Sequence, residues 1–157
     1  MATTRRKQPK HPLLDEHALV GFLVFGDPLD PEDVNAMPWP TRVATYVLAF
    51  DGQMGNGGSQ FWVTNEWRVH DPALLRVLGE LRSPLAREVA KLVKKMAKIG
   101  VRSDALDALD ESPKVDAAYE RLAERCGAVD DAYYAMRAAF LTEVEAELGG
   151  WLREHAA

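Results

Sequence analysis

The sequence predicts an all-α protein, folded as a single irregular domain of six to eight helices. After residue 70, apolar side chains recur at spacings of three and four, which is the period of one helix face. No stretch in that region alternates apolar and polar residues with the period of two typical of a half-buried strand. The chain has 157 residues, 47% of them apolar, which suits one core rather than two. We therefore expect one helical domain over residues 12–157, preceded by a disordered basic tail at residues 1–11.

The first half of the chain contains apolar segments separated by proline and glycine. Residues 13–25 are dense enough in apolar side chains for a buried helix, although residues 20–25 would also suit a strand. Asp30-Pro31 is expected to open a short helix, because proline suits the first helical position. The segment 41–50 is predicted to be a buried helix. Four glycines between residues 52 and 58 are expected to end it in a loop, since glycine readily adopts positive φ.

Two further helices have clear start signals. Asp71-Pro72 and Ser83-Pro84 each place a capping side chain before a proline, and the second helix is predicted to end at Gly100. Ser103 is predicted to open a shorter helix.

The C-terminal third is predicted to contain two separate helices. The first begins at Ser112-Pro113 and stops near Gly127, and Asp130 is expected to cap the second. Gly149-Gly150 is predicted to end or bend that last helix. Its core stripe is formed by Tyr133, Met136, Phe140, Val144 and Leu148.

Charge is distributed unevenly along the chain. The net charge is −5, but residues 1–102 carry 14 basic and 11 acidic side chains, whereas residues 103–157 carry 5 basic and 13 acidic. This balance argues against a direct nucleic-acid binder, whose affinity depends on many cations facing phosphates. It leaves room for a basic partner at the acidic end. The candidate interaction surface, expected to face water, comprises Asp104, Asp107, Asp110, Glu111, Glu143, Glu147 and Glu154.

An alternative to partner binding is that the protein neutralises these carboxylates itself. Lys91, Lys94 and Lys98 are the candidate cations, acting within the fold or across a dimer. Two pairs of carboxylates four residues apart are interpreted as solvated acidic helix faces rather than as a general acid and base. They are Glu120 with Glu124 and Glu143 with Glu147.

Residues that commonly carry chemistry are sparse. The single cysteine, Cys126, excludes an internal disulfide and fits a cytoplasmic protein. The four histidines are scattered and match no metal-binding pattern. The glycine-rich segment has Gly58 where a phosphate-binding loop requires lysine. We therefore predict no catalytic residue, metal or cofactor. The apolar run before Gly26 is too short to cross a membrane.

Two segments carry a family resemblance. The first is Tyr-Val-Leu-Ala-Phe-Asp-Gly-Gln at residues 46–53, followed by Asn56-Gly57-Gly58, Gln60-Phe61 and Asn65. The second is Val-Asp-Asp-Ala-Tyr-Tyr at residues 129–134. Together they resemble the DNA-mimic protein C-terminal domain family, a family of domains of unknown function, over about residues 38–148. One departure is that only Ser59 separates Gly58 from Gln60, where relatives usually have two residues.

The resemblance implies an all-α, non-enzymatic protein-interaction module. It further implies a homodimer that imitates duplex DNA and binds a basic or DNA-binding protein. One alternative is an inhibitor or immunity-type binding protein without DNA mimicry. Another is an enzyme that uses the side-chain amides of Asn56, Gln60 and Asn65. We interpret the family motif as structural, with amides that satisfy backbone groups near the glycines. Its residues are Asn56, Gly57, Gly58, Gln60, Phe61 and Asn65.

Overall fold

The computed structural model describes residues 11–19, 31–64 and 66–156. These residues form six α-helices and one 3-10 helix, with no strand among them, which confirms the all-α single domain. Residues 1–10 of the tail predicted at residues 1–11, and the helix-or-strand alternative at residues 20–25, lie outside the described residues, whereas His11 is described directly before α1. The helices are α1 (Pro12–His17), α2 (Pro31–Asn35), α3 (Trp39–Thr64), a 3-10 helix (Glu66–His70), α4 (Asp71–Glu80), α5 (Pro84–Asp107) and α6 (Pro113–Glu154).

The predicted helix starts are confirmed where a cap precedes proline. The Ser83 hydroxyl accepts a hydrogen bond from the Ala86 backbone N–H (3.3 Å) at the start of α5. The Ser112 hydroxyl does the same for Val115 (3.2 Å) at the start of α6. Helix α4 begins at Asp71 as predicted, but Asp71 does not cap it, because its carboxylate accepts a hydrogen bond from Trp62 Nε1 at 2.7 Å instead. The starts of α5 and α6 follow from local chemistry, because a helix leaves its first N–H groups without partners and a nearby side chain can satisfy them.

Several predicted helix ends and starts in the second half are wrong. Helix α5 continues through Gly100 to Asp107, and Ser103 lies buried inside it rather than opening a new helix. Helix α6 runs for 42 residues and includes Gly127 and Asp130, so the break predicted there does not exist. It also continues past Gly149 and Gly150. An interior glycine costs a helix only about 1 kcal/mol relative to alanine. Burying a single large apolar side chain contributes about 1.5–3 kcal/mol, so the packing on either side of each glycine decides the outcome.

The loop predicted at residues 52–58 is reduced to one residue. Residues 52–57 stay helical, and α3 consists of two helical segments that meet in a kink at Gly58, whose positive φ of 70° is the conformation expected of the glycines in this segment. Met54 lies among these glycines and is fully buried, and Trp62 is fully buried beyond the kink. Because both sides of the glycine segment carry core side chains, the chain resumes a helix directly after Gly58 and continues in a new direction.

Helix α6 forms the centre of the domain and packs against α5, α3 and α1. Four members of its predicted core stripe are buried, and Met136 is half-buried. The aromatic part of the core lies between α3 and α6. There the Phe50 ring meets Trp62 and Tyr133 edge to face, with ring centroids 5.4 and 5.2 Å apart. This packing holds the two family-like segments, which are some 70 residues apart in sequence, against each other.

Candidate functional site

The first family-like segment contains the kink of α3 at Gly58. This residue has φ 70° and ψ −168°, a backbone region that essentially only glycine adopts. A Cβ placed there would lie 2.5 Å from Oδ2 of Asp130. Both the backbone conformation and the available space therefore require glycine at this position.

Asp130 of α6 stabilises the kink. Its Oδ1 accepts a hydrogen bond from the Ser59 backbone N–H at 2.6 Å. The Ser59 hydroxyl donates to the Cys126 carbonyl oxygen at 2.9 Å, so consecutive turns of α6 both bind this residue. A change of helix direction frees backbone N–H groups, and the Asp130 carboxylate satisfies one of them. Asp130 therefore does cap a helical segment, but the segment belongs to α3 and not to its own helix.

A second link joins Asp51 of α3 to α6. The Tyr133 hydroxyl donates to Asp51 Oδ1 at 2.7 Å. Arg137 binds the same carboxylate through both oxygens, with Nε 2.6 Å from Oδ1 and a terminal nitrogen 2.9 Å from Oδ2. Burial raises the pKa of Tyr133 well above its usual value, and the hydrogen bond to Asp51 raises the pKa of Arg137. The neighbouring Tyr134 hydroxyl donates to the Met54 carbonyl oxygen at 2.5 Å.

The side-chain amides of Asn56 and Gln60 do not bind the backbone at the kink. Asn56 and Gln60 are exposed, and within the described residues neither side chain makes a hydrogen bond. The bonds expected from these two amides to the glycine backbone are therefore missing, and Asp130 supplies the bond at the kink. Phe61 is 40% exposed, and a Cβ at Gly57 would lie 2.6 Å from the Phe61 Cβ. Asn65 lies outside the described residues.

A sequence model described as DMP19-like protein matches residues 35–155, more than three quarters of the chain. The chain belongs to the DMP19-like protein family. Searches of curated proteins and of solved structures found no match. Every contact between α3 and α6 described above falls within the range that the family shares. At the level of the family, membership supports a protein-interaction role of the DNA-mimic type.

In this DMP19-like protein, carboxylates of α6 bind the starts of other helices. Glu147 accepts from the backbone N–H groups of Arg82 (2.6 Å) and Ser83 (3.0 Å) at the start of α5. Glu143 accepts from the Ser83 hydroxyl. Glu145 accepts from the first turn of α1 at distances of 2.7 and 2.9 Å. The expectation that Glu143 and Glu147 simply face water is therefore wrong, because free N–H groups at a helix start attract carboxylates.

The other members of the candidate interaction surface are more exposed. Asp104 forms an ion pair with Arg68 at 2.8 Å but stays 65% exposed. Asp107 accepts a hydrogen bond from the Tyr119 hydroxyl. Asp110 and Glu111, in the turn between α5 and α6, are exposed. Glu154 is exposed at the far end of α6.

Among the described residues, the lysines of α5 do not neutralise these carboxylates. Lys91 pairs with Glu88 of its own helix at 2.8 Å. Lys94 and Lys98 are exposed and form no ion pair in the part of the chain that the structure describes. Self-neutralisation within the fold is therefore wrong for all three lysines.

Glu120 and Glu124, interpreted from sequence as a solvated face, belong to a longer exposed row of acids on α6. Asp116, Glu120, Glu124 and Asp131 are all exposed, and none takes part in an ion pair among the described residues. At about 100° per residue they fall within one sector of roughly 80° around the helix. Their spacing in the sequence was the signal that could have identified this row. The spacing is informative because α6 is continuous from Pro113, so that all four acids lie on one helix.

The remaining features to consider are the cysteine, metal ligands and the apolar character of the helices. Cys126 is buried, and burial raises the pKa of its thiol, which keeps it protonated and unreactive. Among residues 11–19, 31–64 and 66–156, no three His, Cys, Asp or Glu side chains are grouped so that they could hold a metal ion. In the same part of the chain, no helix is both long and apolar enough to cross a membrane.

Proposed function

We propose that this DMP19-like protein is a non-enzymatic interaction module that binds a basic or DNA-binding protein through an acidic face. The acidic face consists of the α5–α6 turn and the exposed row on α6. The observation that carries the proposal is this continuous exposed row in a member of a family of the DNA-mimic type. The residues of the acidic face are Asp110, Glu111, Asp116, Glu120, Glu124 and Asp131.

The row on α6 is a line of negative charges that can be compared with the phosphates of one DNA strand. Asp116, Glu120 and Glu124 follow one another at about 6 Å along the helix axis, and Asp131 lies about 10 Å further on. One strand of duplex DNA carries a phosphate about every 3.4 Å along the axis. The row on α6 therefore supplies charge at roughly half the density of one strand. Asp110 and Glu111 extend the negative charge beyond the start of the helix.

The arrangement of the cations leaves this face negative. Arg121 and Arg125 belong to the same stretch of α6, but they line cavities between α6 and α5. At about 100° per residue, Arg121 and Arg125 fall about 60° or more around the helix from the nearest acid of the row, so the cations and the row occupy neighbouring sectors of its circumference. Long-range attraction to such a face raises the association rate of a basic partner.

Two features of the proposal follow the sequence rather than the geometry. The single cysteine supports a cytoplasmic protein. The resemblance supports a homodimer.

The test is capture of partners by the immobilised protein from a lysate of its source cells, followed by elution with duplex DNA. We expect elution of a DNA-binding protein, because DNA and the acidic face would compete for one surface. Glu120→Lys with Glu124→Lys should reduce this capture about tenfold or more without lowering the melting temperature. The matched control is Glu16→Lys with Asp33→Lys, which changes the net charge equally at exposed sites on α1 and α2.

Two outcomes contradict the proposal. If the two double variants capture the partner equally well, the acidic face is not the docking surface. If a captured partner is not released by duplex DNA, the inhibitor or immunity-type function without DNA mimicry is the better description.

A further inference from the structure

A groove lined by cations lies between α5 and α6. It consists of two adjoining cavities of about 390 and 210 Å³, which share Arg102 and Arg125 as lining residues. We call it the basic groove. Its rims carry Lys95, Lys98 and Arg102 from α5 and Arg121 and Arg125 from α6. Its floor is apolar and includes Leu92, Ile99, Leu122, Ala128, Val129 and Ala132.

The cations of the basic groove are uncompensated. None of the five forms an ion pair among the described residues, whereas Arg42, Arg68, Arg76, Lys91 and Arg137 all do. No Asp or Glu lines either cavity. Five like charges beside an apolar floor repel one another, and they complement a ligand that carries negative charge next to apolar surface.

We propose that the basic groove binds an acidic amphipathic helix of a partner protein. The apolar floor would receive one face of that helix, and the two cationic rims would meet acids on both of its flanks. The floor extends along α5 from Leu92 to Leu106, about 21 Å, which matches roughly 14 residues of a docked helix.

The distribution of charge favours a helix over a fatty acid or similar lipid. A single carboxylate would need cations at one end of a deep pocket. Here the cations line both rims, and those of α5 extend over about 10 Å from Lys95 to Arg102. Ala105 and Ala128 of the groove are exposed, so its floor is accessible from solvent. This proposal is independent of the acidic face, which lies in a neighbouring sector of α6 and attracts the opposite charge.

A designed peptide tests the proposal directly. The probe is a fluorescein-labelled helix of about 16 residues, with leucines at i, i+4, i+7 and i+11 and glutamates on both flanks. The comparison peptide has the same composition in scrambled order. We expect the full-length protein to bind the amphipathic peptide about tenfold or more tightly than the scrambled one, measured by fluorescence anisotropy. Added salt should weaken the complex, because part of the attraction is between exposed charges.

Two variants and a matched control locate the site. Lys98→Glu with Arg125→Glu should weaken peptide binding about tenfold or more. Arg87→Glu with Lys94→Glu makes the same change in net charge at exposed residues of α5 that do not line the groove, and it should change binding less than about threefold. Ala128→Trp fills the floor without altering charge and should also weaken binding about tenfold. Melting temperatures verify that each variant is folded.

Four outcomes overturn the proposal. The first is equal binding of the two peptides, and the second is equal effects of the two double variants. The third is tighter binding of phosphatidylserine vesicles or duplex DNA than of the peptide, with loss in the Lys98 and Arg125 variant, because the ligand would then be a lipid surface or nucleic acid. The fourth is a dimer that the same variant dissociates in sedimentation experiments, because the occupant would then be a second copy of this chain.

Discussion

The kink at Gly58 offers the sharpest test of how the family-like segments work. Gly58→Ala forces a side chain into a backbone region that costs about 1–3 kcal/mol for residues other than glycine. The new Cβ would lie 2.5 Å from Asp130 Oδ2, so the carboxylate must move away. That movement breaks its hydrogen bond to the Ser59 N–H, a charged bond whose loss costs about 1.5–3 kcal/mol. We therefore expect the substitution to lower the free energy of unfolding by about 2.5–6 kcal/mol.

The measurement is urea unfolding of four proteins: the wild type, Gly58→Ala, Asp130→Ala and the double variant. In the Asp130→Ala background the carboxylate is absent, so adding Gly58→Ala should cost only the backbone part, about 1–3 kcal/mol. The control is Gly55→Ala in the same helix, where no atom lies within 4 Å of an added Cβ. That change should raise stability by up to about 1 kcal/mol, because alanine favours helix.

Two results would refute this reasoning. The first is a Gly58→Ala variant as stable as Gly55→Ala. The second is an additive cycle, in which Gly58→Ala costs the same with and without the Asp130 carboxylate. Either result would mean that Asp130 does not hold the kink of α3.

Three further predictions concern α5 and α6. Glu147→Ala should lower the free energy of unfolding by about 1–3 kcal/mol, because it removes the charged acceptor of the Arg82 and Ser83 N–H groups, whereas Glu154→Ala should stay within about 0.5 kcal/mol. Because burial raises the pKa of Tyr133, the folded state keeps its proton, so stability in urea should fall as the pH rises above 10, and less steeply in Tyr133→Phe. An unchanged slope would argue against a buried hydroxyl. Duplex DNA binding at physiological salt should be undetectable by gel shift, since the chain is acidic overall, and a micromolar complex that salt weakens steeply would contradict this.

The division of carboxylates on α6 links stability to the proposed binding. Asp130, Glu143, Glu145 and Glu147 accept hydrogen bonds from other elements. The exposed row from Asp116 to Asp131 makes no ion pair in the described part of the chain. Reversing charges in the row should therefore affect a partner, whereas substitutions in the first set should affect folding. The net negative charge of this region by itself does not distinguish the two sets.

Local chemistry in the sequence was sufficient for the fold class and for several helix starts. Period-three and period-four spacing after residue 70 predicted helices. Ser83-Pro84 and Ser112-Pro113 marked two starts correctly, because a cap and its N–H group lie within a few residues of each other. The family resemblance was also carried by short segments. The family match over residues 35–155 confirms that resemblance.

Tertiary structure decided where helices continue and which carboxylates are used. Gly100 and Gly127 looked like helix ends, but core side chains before and after them keep α5 and α6 intact. Asp130 looked like the cap of its own helix, yet its partner is Ser59, 71 positions away in the sequence. Sequence patterns report the conformational preference of a few neighbouring residues. Burial of side chains and the pairing of freed N–H groups depend on residues that only the folded chain brings together.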